Sequence, residues 1–329
     1  MEVENKKTTI KTKMHNPNQM ANGKGTKIGV VLTDPSDWTA SAFLKNIEKR
    51  GANALPINLS TLSASISGSD FSIFNTDLKA LELDAILVRD VGISFSLETI
   101  SFKFDLLRQF ENSMIVMNRP TAIQNAANKF FSFYLFKLAR LPVPRTVVTS
   151  ELEIALKTIE KFGSAVAKPI FGSQGKGIIK LESAQPESEL ASKLTALLKE
   201  RCVLYLQEFV HSPGRDIRVF LVGEEAIGAI YRVPRSGSFV SNLSQGATPV
   251  KCELTDEMRE LAISAAKAMG ADFAGVDLIE GKEGLFLLEV NATPSGKGIK
   301  LACGIDVTER IVDRLFERLE DKERREATK

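Results

Sequence analysis

The chain has 329 residues, 43% of them hydrophobic, with 43 Lys and Arg against 41 Asp and Glu. A net charge of +2 provides no field that points to nucleic acid or a membrane surface, and the length suits two or three lobes better than one core. Cys202, Cys252 and Cys303 are far apart and only His15 and His211 could assist them, so neither a disulfide framework nor a zinc site is supported; this fits a reducing cytoplasm, and no apolar run approaches the roughly 18 residues of a membrane span.

Residues 1–26 are polar and rich in Lys, Asn and Thr, which predicts a disordered extension without a signal sequence. KIGVVL at 27–32 reads as a buried strand, and the segment after it as a helix that ends at Lys49 before Gly51. Further strands at 54–59, 85–89 and 114–117, with a helix at 97–111, make residues 27–118 an α/β lobe with a parallel sheet. Its first turn, Thr33-Asp34-Pro35-Ser36, lacks the glycine fingerprint of a dinucleotide site. Arg89, at the end of a buried strand, is a candidate substrate contact, and equally an ordinary surface arginine.

A helix predicted over 122–138 carries Lys129 among Phe130, Phe131 and Phe133, which by itself describes a snorkelling lysine. In AVAKPIFGSQGKG (165–177) a strand ends in Lys168, and a loop with Gly172, Ser173, Gly175 and Gly177 leads to a strand at 178–181. Glycines let backbone N–H groups approach phosphate oxygens and the lysine supplies charge; no GK[ST] opens a helix, so this is not a Walker loop, and many such loops are only hairpin turns. The buried runs 203–209 and 216–222 carry Gln207, Glu208, Asp216 and Arg218, polar groups of the kind that fix a base and ribose around a cleft. In 231–246, Arg232 and Arg235 are candidate bidentate carboxylate ligands, against the alternative of an exposed loop with two solvated arginines. Thr255 caps a helix that stops at Gly270, and a helix from Asp306 buries Val307, Ile311, Leu315 and Leu319.

The stretch AGVDLIEGKEGLFLLEVNATP (274–294) predicts a hairpin turning at 281–284. Glu289 and Asn291 share one face, and a turn centred near Lys282 puts Asp277 diagonally across from Glu289, about 7–8 Å away at the backbone. Two carboxylates and an amide are hard oxygen ligands suited to magnesium or manganese holding nucleotide phosphates. Solvated acids on a half-exposed hairpin are the alternative.

Lys168 with its glycine-rich loop, QEF at 207–209, DIR at 216–218, SNL at 241–243, GVD at 275–277 and EVNATP at 289–294 occur in that order. Together they resemble the ATP-grasp carboxylate–amine ligases, and within them the RimK-like glutamate ligases, over residues 28–319. The resemblance implies a three-lobed fold, α/β and α+β: ATP is clamped between lobes at 119–206 and 207–329, behind a Rossmann-like lobe at 27–118. It implies phosphate contacts from Lys129 and Lys168, a lid at 172–177, an adenine hinge at Glu208 and Phe209, and a ribose contact at Asp216. Magnesium or manganese, with two ions expected, would sit on Asp277, Glu289 and Asn291. Lys168, Arg218 and Asn242, with Ser241 beside it, match positions near the transferred phosphoryl group. In that family ATP phosphorylates a carboxylate, and an amine attacks the acyl phosphate to leave an amide and ADP.

One departure bears on the acceptor. The ribosomal-protein ligases have RSN and a following His-Arg where this chain has Val240-Ser241-Asn242 and Ser244-Gln245, so a protein C-terminus is less expected. PTAIQNAANKF, LPVPRTVV and YRVP resemble the branch that adds α-linked glutamate to a reduced pterin coenzyme, tetrahydromethanopterin; a deazaflavin coenzyme is the alternative. The implied partners are therefore small molecules, L-glutamate and a carboxylate-bearing coenzyme, with no nucleic acid or membrane, and the resemblance leaves a homo-oligomer open. Two other classes stand beside the ligase: an ATP-grasp kinase of a small polyol, and an ATP-binding sensor, for which paired metal ligands would be superfluous.

Overall fold

Strand β1 (Lys27–Val31) is the centre of the first sheet. It opens a computed structural model that describes residues 25–68, 70–75, 81–92, 96–172, 175–237 and 241–328. All but the last two residues of the expected extension, and Ser173, lie outside the described residues. Contacts divide the chain into two units, one running to Pro120 and resuming at Thr308, the other Thr121–Val307.

In the first unit, β1 is followed by α1 (Trp38–Lys49), β2 (Asn53–Ile57), β3 (Ser63–Ser67), β4 (Asp70–Phe74), β5 (Ala85–Val88), α2 (Leu97–Glu111) and β6 (Ile115–Met117). The sheet order is β2-β1-β5-β6, every pair parallel, as the alternation of strands and helices predicts. Asp37 caps α1 by accepting from the Thr39 and Ala40 amides. The β3–β4 ribbon is absent from the sequence reading, which passed over the alternation of Ala64 and Ile66 with serines and of Phe71 and Ile73 with Asp70 and Ser72.

The second unit holds two antiparallel sheets. After α3 (Pro120–Ala127) and α4 (Lys129–Leu138) come β7 (Thr146–Thr149), α5 (Leu152–Phe162), β8 (Ser164–Lys168), β9 (Ile179–Glu182), α6 (Glu187–Arg201) and β10 (Leu204–Glu208), with strand order β7-β10-β8-β9. Ala165, Ala167, Leu204 and Leu206 pack on one face of this sheet against Ile159 of α5 and Leu194 of α6. Alternation therefore sends Val166, Lys168 and Gln207 to the other face. The next sheet is built from β11 (Asp216–Val222), β12 (Glu225–Val233), β13 (Thr248–Cys252), then, after α7 (Asp256–Met269), β14 (Phe273–Gly281) and β15 (Gly284–Asn291); its order is β13-β12-β11-β14-β15. Ile217, Val219, Val276, Leu278, Leu287 and Val290 enter one core with α7 residues, which leaves Asp216, Arg218, Asp277 and Glu289 on the opposite face.

The short helix α8 (Lys297–Cys303) precedes α9 (Val307–Ala327). From Thr308 onward α9 belongs to the first unit, where Asn46 Nδ2 donates to Thr308 Oγ1 at 2.9 Å and Arg50 pairs with Asp313. Reading lobes in chain order assigned this helix to the C-terminal lobe.

Two local expectations change. The helix predicted over 122–138 is two helices, because Asn128 leaves helical geometry (φ −93°, ψ 99°) and its side chain accepts from the Phe131 amide. Lys129 is consequently in the first turn of α4, and its own amide donates to Ile170 O at 3.2 Å. In the hairpin, Asp277 is directly opposite Glu289, not diagonal to it, because the register shifts between Asp277 and Leu278 and gives β15 one extra residue there. Among the described residues no helix is long and apolar enough to cross a membrane.

Candidate active site

The site is built on the face of the five-stranded sheet opposite its α7-packed core, where acidic and basic residues pair across β12, β11 and β14. Register places Arg232 of β12 opposite Asp216 of β11, Arg218 of β11 opposite Asp277 of β14, and Asp277 opposite Glu289 of β15. In the first two pairs opposite charges face each other across the ladder and attract, through bidentate contacts; the third sets two carboxylates side by side. Arg232 donates through Nε and Nη2 to the two Asp216 oxygens at 2.7 and 2.6 Å, and Nη2 also reaches Asp277 Oδ2 at 2.8 Å. Arg218 donates through Nε to Asp277 Oδ1 and through Nη2 to Oδ2 at 2.8 Å. Ser241 Oγ donates to Asp216 Oδ2.

Burial by itself would raise the Asp277 carboxyl, but Arg218 and Arg232 hold it below the usual carboxylate range. Burial pushes the Asp216 carboxyl up, against the pull of Arg232. Burial would lower Arg232, yet its two carboxylates raise it further. Two paired guanidinium groups and two carboxylates satisfy one another, which is what makes their burial tolerable.

Two lysines complete the cationic side. Lys129, 8% exposed, donates from Nζ to Gly172 O at 2.7 Å and lies 3.8 Å from Glu289 Oε2. Lys168 Nζ donates to Gln207 Oε1 at 2.6 Å. Burial pushes the Lys168 ammonium down to about 8, opposed by Glu289 and reinforced by Lys129. Gly175 and Gly177 have φ of +74° and +72°, backbone that other residues reach only with strain, and both belong to the expected lid.

These groups surround a cavity of about 300 Å³ lined by Lys129, Lys168, Asp216, Arg232, Asp277 and Glu289 among others. Its apolar wall includes Val166, Ile178, Val210, Ile279 and Leu288, a slot suited to a flat base. The β15 bulge has a visible consequence: the successive residues Leu288 and Glu289 both line the cavity, whereas regular pleating would send them to opposite faces. Glu208 and Phe209 line the same wall; Arg145 Nε binds Glu208 at 2.7 Å and holds its carboxyl low, and Lys180 sits 4.3 Å over the Phe209 ring.

The remaining expected residues are less uniform. Gly172, Gly175, Ser241 and Asn242 line the cavity; Gly177, Arg218, Asn291 and Arg235 are not among its lining residues. Arg218 is adjacent through Asp277, and Asn291 Oδ1 accepts from the Thr293 amide at 2.8 Å. Arg235 is exposed and donates from Nε to Gly246 O at 3.2 Å. Arg232 is held by two aspartates, which commits its bidentate edge to the protein. Arg89 belongs to the first unit, where its Nε binds Asp37 at 2.7 Å.

Sequence reasoning passed over Gln207 as a partner of Lys168 and passed over Ile279 and Leu288 as wall residues. Gln207 was legible as a polar residue inside a buried run; the bulge that turns Leu288 inward left no mark in composition. Among the described residues no three His, Cys, Asp or Glu side chains group around one point. Asp277, Glu289 and Asn291 nevertheless offer only hard oxygen donors, which fits magnesium or manganese.

Comparisons with known proteins identify the family and the fold. The profile described as RimK-like ATP-grasp domain matches residues 126–315. A tetrahydromethanopterin:alpha-L-glutamate ligase of Methanosarcina acetivorans is 42% identical, over 88% of this chain and 98% of the relative. A ligase of the same name from Methanococcus maripaludis is 32% identical, over 86% and 96%. Among solved structures, the ATP-grasp ligase PsnB with a phosphomimetic precursor variant, Mg and ADP superposes with a TM-score of 0.71 at 23% identity, over 90% of this chain and 99% of that one.

Proposed function

The chain belongs to the RimK-like ATP-grasp family and is an ATP-dependent carbon–nitrogen ligase, and from that premise we propose that it joins L-glutamate by an amide bond to a carboxylate of tetrahydromethanopterin. The observation that carries this reading is the single sheet face on which Asp216, Arg218, Arg232, Asp277 and Glu289 converge, with Lys129 and Lys168 lining the same cavity. The relatives' shared acceptor supports the pterin, and three free cysteines support a cytoplasmic setting.

The residues divide the work as phosphoryl transfer requires, by positioning and charge neutralisation instead of covalent attack. The apolar wall takes the adenine and Asp216 takes a ribose hydroxyl. Lys129 and Lys168 neutralise the β- and γ-phosphates. When bound on Asp277, Glu289 and Asn291, magnesium, as a pair of ions, supplies further neutralisation of the phosphate oxygens. An acceptor carboxylate oxygen attacks the γ-phosphorus and the bond to the β-phosphate oxygen breaks, giving an acyl phosphate and ADP. Arg218 stabilises the charge on the migrating group, with Asn242 at its side. The glutamate amine then attacks the acyl carbon, loses a proton and expels phosphate. A lid over Gly172–Gly177 would keep water from the acyl phosphate, and Arg235 stands available for a substrate carboxylate.

Mass spectrometry of the acceptor after incubation with ATP, magnesium and L-glutamate tests the proposal. One added glutamyl unit on the reduced pterin, matched by ADP and phosphate, is expected. Addition only to a deazaflavin coenzyme or a protein tail would keep the chemistry and overturn the acceptor. Glutamate-independent phosphorylation of a hydroxyl compound would identify a kinase, and nucleotide binding without turnover a sensor.

A further inference from the structure

Asp277, the central expected metal ligand, has both its oxygens engaged by arginine. Oδ1 accepts from Arg218, and Oδ2 accepts from both Arg218 and Arg232. The two arginines are not equivalent. Arg232 is tied to Asp216 as well, and its side chain is 5% exposed; Arg218 is 12% exposed and its Nε and Nη2 both donate to Asp277. Arg218 lies across Gly275, where an added Cβ would be 2.8 Å from its Cδ, 2.9 Å from its Nη1 and 3.1 Å from Pro294 Cβ. The bare backbone at 275 is thus the seat of the Arg218 side chain.

We infer that Arg218, seated on Gly275, occupies Asp277 as a stand-in for the divalent cation in the nucleotide-free enzyme, so that the metal binds only together with the nucleotide. This rests on the metal assignment of the proposed function and adds an order of events to it. Charge supports the inference. Lys129, Lys168, Arg218 and Arg232 face the three carboxylates Asp216, Asp277 and Glu289, so this cluster favours an anion over a bare cation. A triphosphate reverses that balance. Its oxygens give Arg218 a second anionic partner, and swinging toward them releases two Asp277 contacts for the metal. The same movement delivers the guanidinium to the group that will migrate. Metal arrival and readiness for phosphoryl transfer thereby become one step.

Manganese alone, followed by the electron paramagnetic resonance of the free ion, is the probe. Wild-type enzyme, R218Q and G275A are titrated without nucleotide, and again with equimolar ADP against an enzyme-free ADP control. G275A retains the arginine and only displaces it, which keeps the test alive if R218Q does not fold. The wild type is expected to take up manganese only with ADP, while both variants bind it at least about tenfold more tightly than wild type when nucleotide is absent. Wild-type binding as tight as that of the variants without ADP would overturn the stand-in role and leave the metal site intact. Variants that bind no better than wild type, while wild type with ADP does bind, would overturn it too. No manganese uptake by wild type even with ADP, in enzyme that binds ADP, would overturn the metal assignment itself.

Discussion

Lys168 shows how one residue's surroundings set its chemistry. Half-buried beside Lys129, its ammonium is pushed down to about 8, so the cation proposed to meet phosphate is lost as pH rises. The kcat/KM for ATP is expected to fall as pH passes through about 8, while kcat, which reports the complex in which phosphate holds the proton, stays level to higher pH. The stability sign is the reverse. The folded state binds fewer protons at Lys168 than the unfolded chain between about 8 and the ordinary lysine value of 10.5, so this group's contribution becomes more favourable as pH climbs through that window. Asp277 behaves oppositely: its depressed carboxyl contributes stability above its unfolded value of 3.8, lost as pH falls through the lower folded one. Glu289, with a side chain 35% exposed, anchors no core. Glu289→Ala is expected to cut turnover by at least about a hundredfold, on the scale of lost electrostatic catalysis, with the melting transition unchanged; collapse of that transition would contradict the role assigned to Glu289.

At the scale of elements, the break between α3 and α4 matters more than either helix. Asn128 caps α4 and bridges to Phe171, and the Lys129 amide bonds Ile170 O. The start of a helix is thereby pinned to the segment that follows β8, and Lys129 is aimed at Gly172. Asn128→Ala is expected to cost about 1 kcal/mol of stability, the usual worth of such a cap. The KM for ATP should rise by more than that loss explains, because Lys129 loses its bearing; denaturant melts and steady-state kinetics on one preparation separate the two. The asparagine was legible as a cap signal inside an otherwise uniform helical run. Apolar periodicity overrode it, since Phe130, Phe131 and Phe133 read as a continuing helix. The β15 bulge was less legible still, because its cause is pairing with β14 and not any residue of its own strand.

For the whole molecule, the partition into units cuts across chain order. α9 returns to the first unit with Leu315 and Ile311 fully buried. Leu315→Ala is expected to cost about 2–5 kcal/mol, lost first from the parallel sheet, with hydrogen exchange accelerating in β1 and β5 before β14 and β15. Uniform acceleration across both units would show instead that they melt together. Residue types and short-range order were determined by the sequence alone: glycines that permit positive φ at 175 and 177, strand alternation that puts Asp277 and Glu289 on one face, and a motif series specific enough to mark the family. What only the tertiary structure decided is which charges neutralise which. Arg218 meets Asp277 across 59 residues of chain and Arg232 meets it across 45. Those pairings follow from strand order and register in the five-stranded sheet, which depend on how separate segments dock. Local propensity carries no record of either.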